Sequence, residues 1–398
     1  MVKIIYVVYW GALEPLGQSL VVPAVIKLAQ MGADVTLVTF DKPKDLADKD
    51  EVRRVKKMFE DEGIRWFPLK YNAGSAKTLF DVGHGIAHGI ARRLREKFDI
   101  VHARTYVGGL IGLFLAPMLG AKFIYHNEGF YPDEQVDGGV WKLNSRPHRV
   151  AKWLENVMYA HADGIIALSH HAENIIKQLP SIVRHRTPVI FVPSCVDLDR
   201  FKFLKANSPA RNGETKFVYI GSVGARYTLD NIGRFVSIAL EADNAVRLQI
   251  YSRAVPSLIR KMLSDGGLSD SSWELSAVPY SEMSRCLSEH DVGLFSLTEG
   301  ISEHGCSPTK IGEYWATGLP VVTTPNVSDT DEIIRREKVG VVLKNHTKDA
   351  HTTAFRELQE LLKDPELAVR CRRAAEKHYS LTPACERQIA LYKRLTKN

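Results

Sequence analysis

The chain of 398 residues is 45% hydrophobic and 25% charged, with Gly 28 and Pro 18, which excludes collagen-like, acidic disordered and coiled-coil classes. At roughly 150 residues per domain, this length predicts two or three domains. The net charge of +7 is spread as +4 over residues 1–200 and +3 over the rest, so no basic tail or stripe points to nucleic acid, whereas an anionic substrate or membrane surface remains compatible. Five separated cysteines with no CxxC pair argue against a disulfide framework or a cysteine zinc site and favour a reducing, cytoplasmic setting.

The run Lys3–Tyr9 reads as a buried parallel strand, and with one lysine and no cleavage-like tail it does not read as a signal peptide. A glycine-containing loop, Trp10–Gln18, leads to a helix near residues 20–31 and a strand, Asp34–Phe40. Alternation continues with a charged helix over 50–62, a strand over 64–69 and a long helix over 76–97. Short strands are predicted at 100–103, 122–125, 164–168 and 189–192, with helices at 107–118, 147–161 and 170–179. The uncharged run Thr105–Ala121 is broken by Pro117 and four glycines, and a helix buried against a sheet explains it better than a membrane span. The stretch Asp197–Gly213 has no period. After it, strands are predicted at 216–220, 246–251, 274–278, 292–295, 320–323 and 339–343, interleaved with helices, and three helices close the chain. The prediction is α/β: two doubly wound domains, 1–195 and 196–377, with a C-terminal helix over 378–398 joining the first. Open parallel sheets bind ligands beyond the carboxyl ends of their strands, so two facing sheets would frame a cleft.

The strand-to-helix loops must carry the chemistry. No GxGxxG follows the first strand, and no GxxxxGK[ST], HExxH or GxSxG occurs, which argues against a first-domain NAD site, a P-loop, a zinc protease and a serine hydrolase. Gly17 allows either a simple turn or close approach of backbone to a phosphate or sugar. His126 ends a strand and starts a loop, residues 125–139, rich in carboxylates and aromatics, with Asn127, Glu128 and Tyr131 as candidate acceptor contacts; it is predicted to point into a cleft. Gly221, Ser222 and Arg226 form a glycine turn with a cation suited to a diphosphate, and Arg253 repeats the theme. Ser307 is a plausible N-cap with Pro308 at the first helical position, giving an anion cup with Thr309; Lys310 adds charge and Glu313 could take ribose or sugar hydroxyls. A Cys306–His304 nucleophile lacks an orienting third group.

The segment SPTKIGEYWATGLPVVTT resembles the signature helix and strand of family 4 glycosyltransferases, retaining enzymes of the two-domain GT-B architecture. Residues 193–201 resemble their domain-joining motif, residues 126–141 an acceptor-side loop of one bacterial subgroup, and residues 339–342 the strand after the nucleotide pocket. The resemblance implies that His126 lies beside the donor sugar, that Arg226 and Lys310 meet the diphosphate and that Glu313 holds the ribose. In the E-x7-E motif the first glutamate falls on Gly305, which the subgroup replaces with SPTK. Asn127-Glu128 stands where related sequences often carry Met-Arg. The implied activity is front-face, metal-independent transfer from a UDP- or GDP-sugar to a saccharide, glycolipid or small-molecule acceptor, with no cofactor, no nucleic-acid partner, possible peripheral membrane contact and a monomeric or homodimeric state. The alternatives are a nucleotide-sugar epimerase and a non-catalytic binding homologue.

Overall fold

The computed structural model describes residues 1–72, 74–93, 96–203, 214–243 and 245–397. Its apolar runs form two sheets in which every strand pair is parallel. The first contains β1 (Lys3–Val8), β2 (Asp34–Asp41), β3 (Arg65–Lys70), β4 (Ile100–Arg104), β5 (Lys122–His126), β6 (Gly164–Ala167) and β7 (Val189–Phe191), in the order β3-β2-β1-β4-β5-β6-β7. The second contains β8 (Thr215–Ile220), β9 (Val246–Tyr251), β10 (Trp273–Ser276), β11 (Val292–Phe295), β12 (Val321–Thr323) and β13 (Gly340–Val342), in the order β10-β9-β8-β11-β12-β13. Both are doubly wound, Rossmann-like α/β layers, as predicted, and their order reverses beside β1 and beside β8.

The chain divides into two compact units. The first comprises Met1–Pro132, Asn144–Cys195 and Leu381–Asn398; the second comprises Asp133–Leu143 and Val196–Ser380. In the first unit the period of two along β1 sends Ile5 and Val7 to one core, and Ile4, Tyr6 and Val8 to the other. The second of these cores is sealed by the C-terminal helix Leu381–Thr396 through Leu391 and Tyr392. Each fully buried aliphatic side chain is worth about 1.5–3 kcal/mol. The helix Tyr106–Leu119 explains the apolar run noted above: a methyl at Gly112 would stand 2.5 Å from Ala103 Cβ, and one at Gly109 2.6 Å from the Tyr125 ring, so these glycines let the helix lie close on the sheet. Among the described residues no helix is long and apolar enough to cross a membrane.

Several boundaries differ from the sequence reading. The first helix is two, Pro15–Leu20 and Val22–Gln30. The segment 125–139, read as a loop, contains the helix Tyr131–Asp137, and a helix Thr330–Glu337 precedes β13. Of the unpatterned stretch 197–213, residues 204–213 lie outside the described residues, as do Leu94 and Arg95 of the predicted 76–97 helix.

Candidate active site

Candidate residues stand at the carboxyl end of each sheet. In the second unit the opening beside β8 has a definite cause. Tyr314, fully buried on the helix Thr309–Ala316, packs its ring where a Cβ on Gly293 would stand 2.5 Å away. Its hydroxyl accepts a hydrogen bond from Ile220 N at 3.0 Å and lies 3.3 Å from the Leu294 carbonyl. The tyrosine thus takes the place of ladder partners between β8 and β11, which pair only through Val292–Phe217 and Gly293–Val218. The loops that follow these strands are tied by Thr298 N donating to the Arg226 carbonyl at 2.9 Å.

Arg226 is 9% exposed. Its Nη1 lies 3.0 Å from Glu134 Oε1, while Nε and Nη2 are buried with no hydrogen-bond partner. Two unsatisfied donors on a buried guanidinium are costly unless an acceptor completes them. Glu134 comes from the helix Tyr131–Asp137, which is anchored to the same unit by Asp137: Oδ2 accepts from Ser302 N at 2.8 Å and from its hydroxyl. Burial pushes the neighbouring Cys306 thiol up, so it is not a nucleophile-in-waiting.

Lys310 leaves the first turn of its helix and lies over Gly221, whose φ of +105° and missing Cβ make the space; a methyl there would be 2.5 Å from Lys310 Cε. Its Nζ donates to Tyr219 Oη at 3.1 Å and sits 3.9 Å from the centre of the Tyr227 ring and 4.8 Å from that of Tyr219. The Tyr219 hydroxyl in turn donates to the Ser222 carbonyl at 2.6 Å, which fixes the glycine turn. Burial brings the Lys310 ammonium down to about 7. Glu313, 5% exposed one turn further on, accepts from Tyr280 Oη at 2.7 Å, and burial pushes its carboxyl up to about 7. The helix start corrects the capping expectation: Pro308 occupies the N-cap position and Thr309 is the first helical residue. Ser222 and Arg253 are exposed at the ends of β8 and β9. Sequence reasoning missed Glu303, which is 7% exposed, raised to about 7 by burial and two residues before Gly305.

In the first unit β4 and β5 place Arg104 beside His126 in register. His126, predicted to point toward a cleft, is 2% exposed, with Nδ1 3.0 Å from His102 Nε2 and Nε2 3.5 Å from Glu128 Oε1. Glu128 is bound by Arg104 Nε, and Arg104 Nη1 donates to the Leu20 carbonyl at 3.0 Å. Asn127, 1% exposed, donates to Tyr159 Oη and accepts from Gly129 N at 2.6 Å, so its amide shapes the turn. Tyr131 stacks on Tyr106 with centroids 4.7 Å apart. Gly17 lies inside the first short helix, and the close approach it permits is to the Gly11 carbonyl, 1.8 Å from where its Cβ would be. Among the described residues no three His, Cys, Asp or Glu side chains cluster as a metal site.

In the second unit, buried cations, a carboxylate and a helix start are grouped beyond β8 and β11. Residues 24–200 match Glycosyltransferase Family 4 and residues 214–364 match Glycosyl transferases group 1, so each half of the chain matches a glycosyltransferase domain. A UDP-Gal:alpha-D-GlcNAc-diphosphoundecaprenol alpha-1,3-galactosyltransferase of Escherichia coli is 23% identical over 284 residues, which is 66% of each chain and so just under two thirds of that protein. Sucrose-phosphate synthase from Thermosynechococcus elongatus superposes with a TM-score of 0.71 at 15% identity over 99% of both chains. A glycosyltransferase of Rickettsia africae gives 0.69 at 14% over 100% of this chain and 99% of its own. Anabaena HepE, in complex with UDP and glucose, gives 0.67 at 13% over the whole of both. At these identities the structural likeness establishes the fold.

The buried Glu313 makes its own prediction. Its raised carboxyl stays protonated in the folded chain where the unfolded chain has already ionised, so it destabilises the fold from the ordinary carboxylate range upward, fully so above pH 7. Glu313→Gln keeps an acceptor for Tyr280. It is expected to raise the ligand-free melting temperature at pH 8, to change it little near pH 4, and to weaken nucleotide binding in calorimetry. A lowered melting temperature at pH 8 with unchanged binding would refute both roles.

Proposed function

We propose that the protein is a retaining glycosyltransferase that moves a sugar from a UDP- or GDP-sugar to a hydroxyl of a saccharide, glycolipid or small-molecule acceptor, without a divalent metal. The observation that carries this reading is the Arg226 guanidinium, buried at the point where the second sheet reverses its strand order, with two donors lacking acceptors. A diphosphate oxygen supplies those acceptors. Lys310 and the helix start at Thr309 add positive charge, and Glu313 receives the ribose hydroxyls. As the bond from C1 to the diphosphate breaks, negative charge grows on the leaving group, and these fixed cations gain interaction in the transition state. The acceptor oxygen bonds to C1 on the same face, and its proton passes to a departing phosphate oxygen. His126 serves the sugar, and Glu128 the acceptor.

The E. coli relative's name specifies UDP-galactose and a lipid diphosphate acceptor, which favours UDP and a glycolipid here. Three helices of the first unit, Ser75–Arg93, Tyr106–Leu119 and Arg146–His161, also expose Phe80, Phe114 and Trp153 with Arg93, Arg146 and Arg149. Such apolar and basic residues suit peripheral contact with the inner, anionic face of a membrane. Flotation with anionic vesicles is expected to show weak binding that salt reverses; binding that resists salt, or none at low salt, would overturn this part.

Transfer is tested by incubating the protein with labelled UDP- and GDP-sugars, with and without saccharide and glycolipid acceptors. A new glycoside of retained anomeric configuration is expected, undiminished by a chelator. Epimerised donor, an inverted product, or nucleotide binding with no turnover across the acceptor set would each replace the reading. Loss of activity on chelation, restored by Mg²⁺ or Mn²⁺, would refute metal independence.

A further inference from the structure

The helix Leu381–Thr396 carries Tyr392, fully buried, beneath the first sheet. The Tyr392 hydroxyl lies 2.6 Å from His102 Nδ1, and His102 Nε2 lies 3.0 Å from His126 Nδ1. His102 is stacked on Tyr6 with ring centroids 4.1 Å apart and an interplanar angle of 16°, so its ring is held in place. At the far end His126 Nε2 is buried, makes no hydrogen bond, and faces Glu128 Oε1 at 3.5 Å. Tyr392, His102, His126 and Glu128 therefore stand in a single file leading from the C-terminal helix to the loop after β5.

Burial and the Arg104 charge hold both imidazoles well below the usual histidine range, so both are neutral. A neutral imidazole has one N–H and one acceptor nitrogen. A file of two then has two self-consistent arrangements. In the first, Tyr392 donates to His102 Nδ1, His102 donates from Nε2 to His126 Nδ1, and His126 keeps its proton on Nε2, facing the carboxylate. In the second every bond is reversed. The Tyr392 hydroxyl must then turn to Gln388 Oε1 at 3.5 Å, beyond good hydrogen-bond length, and a bare His126 lone pair faces the Glu128 anion. The first arrangement makes its end contacts with a 2.6 Å hydrogen bond and with an N–H aimed at a negative charge. The second replaces these with a long contact and an electrostatic repulsion.

We infer that Tyr392 and His102 are positioning residues that fix His126 as the Nε2–H tautomer, so that His126 acts as a hydrogen-bond donor and not as a base. The consequence for transfer rests on the proposed role of His126 at the sugar; the tautomer does not. As a donor, His126 binds a sugar oxygen lone pair, and the acceptor proton has to leave through the diphosphate.

The test is long-range 1H–15N NMR of the full-length protein labelled with 15N-histidine, assigned with His102→Gln and His126→Gln. Both residues are expected as Nε2–H tautomers. Tyr392→Phe keeps the ring and removes the hydroxyl; it is expected to give mixed tautomers at both positions and to lower kcat by ~10-fold, about the worth of one hydrogen bond, with little change in KM for the donor. An Nδ1–H tautomer at either histidine in the unmodified protein, or Tyr392→Phe spectra with both tautomers unchanged, would overturn the inference. If Tyr392→Phe does not fold, the tautomers of the unmodified protein decide alone. Should His126→Ala transfer sugar at full rate while the tautomers are as expected, the role of His126 in the proposed function falls and the relay stands.

Discussion

Lys310→Ala is expected to slow transfer by ~10²-fold, about 3 kcal/mol, the scale of losing one strong transition-state donor. The ammonium lies against Tyr219 and Tyr227, and its position depends on the open face of Gly221. In the ligand-free protein burial holds it at about 7, so near neutral pH part of the population is uncharged. A bound diphosphate favours the protonated form, so donor binding draws in a proton at and above pH 7. The sign follows: donor affinity weakens as pH rises through 7, because the lysine must then be charged at the expense of binding free energy. Calorimetry in buffers of different ionisation enthalpy reads that uptake directly, and Lys310→Ala should abolish it. Loss of donor affinity should be smaller than the loss in rate, because charge on the leaving oxygen is greatest in the transition state. A rate within about twofold of the unmodified protein would remove Lys310 from the mechanism.

Most strands were legible because they are short runs of apolar, often β-branched or aromatic residues bounded by turn signals, and parallel strands covered on both faces need such runs. Some short helices were not. Pro15–Leu20 and Pro43–Ala47 are under two turns long, too short for a 3.6-residue period to declare itself. The helix Tyr131–Asp137 had a readable signal that the carboxylate count concealed: Pro132 in the first turn, followed by Asp133 and Glu134 where the helix dipole favours acids. Read that way, Glu134 becomes a helix residue able to hold Arg226 and not a solvated loop carboxylate.

The local geometry of the candidate site was legible where it is set by neighbouring residues. Gly221, Lys310 and Glu313 each sit in a turn or helix start whose geometry follows from neighbouring residues. The rest was illegible where it depends on sheet order. Arg104 meets Glu128 only because β4 lies beside β5 with Arg104 opposite His126. His102 meets Tyr392 across 290 residues. Tyr314 looks like an ordinary core aromatic in sequence, and its role in parting β8 from β11 appears only once Gly293 is seen beneath its ring. Nor could composition show that His126 is sealed, since a residue at a strand end is as easily covered as exposed.

Arg104→Met is expected to destabilise the protein by about 3–5 kcal/mol, because it removes one partner of a buried ion pair and leaves the other charged. Arg104 is 4% exposed and the Glu128 side chain 11%. The guanidinium neutralises Glu128, donates to the Leu20 carbonyl at 3.0 Å and lies 5.7 Å from the centre of the Trp10 ring. Methionine restores part of the packing and none of the charge. Glu128 would then keep His126 Nε2 as a neighbour, too far at 3.5 Å for a good hydrogen bond. Loss of the Arg104 charge also lifts part of the suppression on His126, whose imidazole should protonate at a higher pH than before. The control is Arg104→Met combined with Glu128→Gln. If the penalty arises from an unpaired buried carboxylate, the second change should return most of the lost stability in urea unfolding, although it adds no new contact of its own. A single-variant cost below about 1 kcal/mol would place the pair with ordinary exposed ion pairs. A double variant no more stable than Arg104→Met would move the cost to the lost Leu20 and Trp10 contacts, and Glu128 would lose its claim to be a charge held ready in the loop after β5.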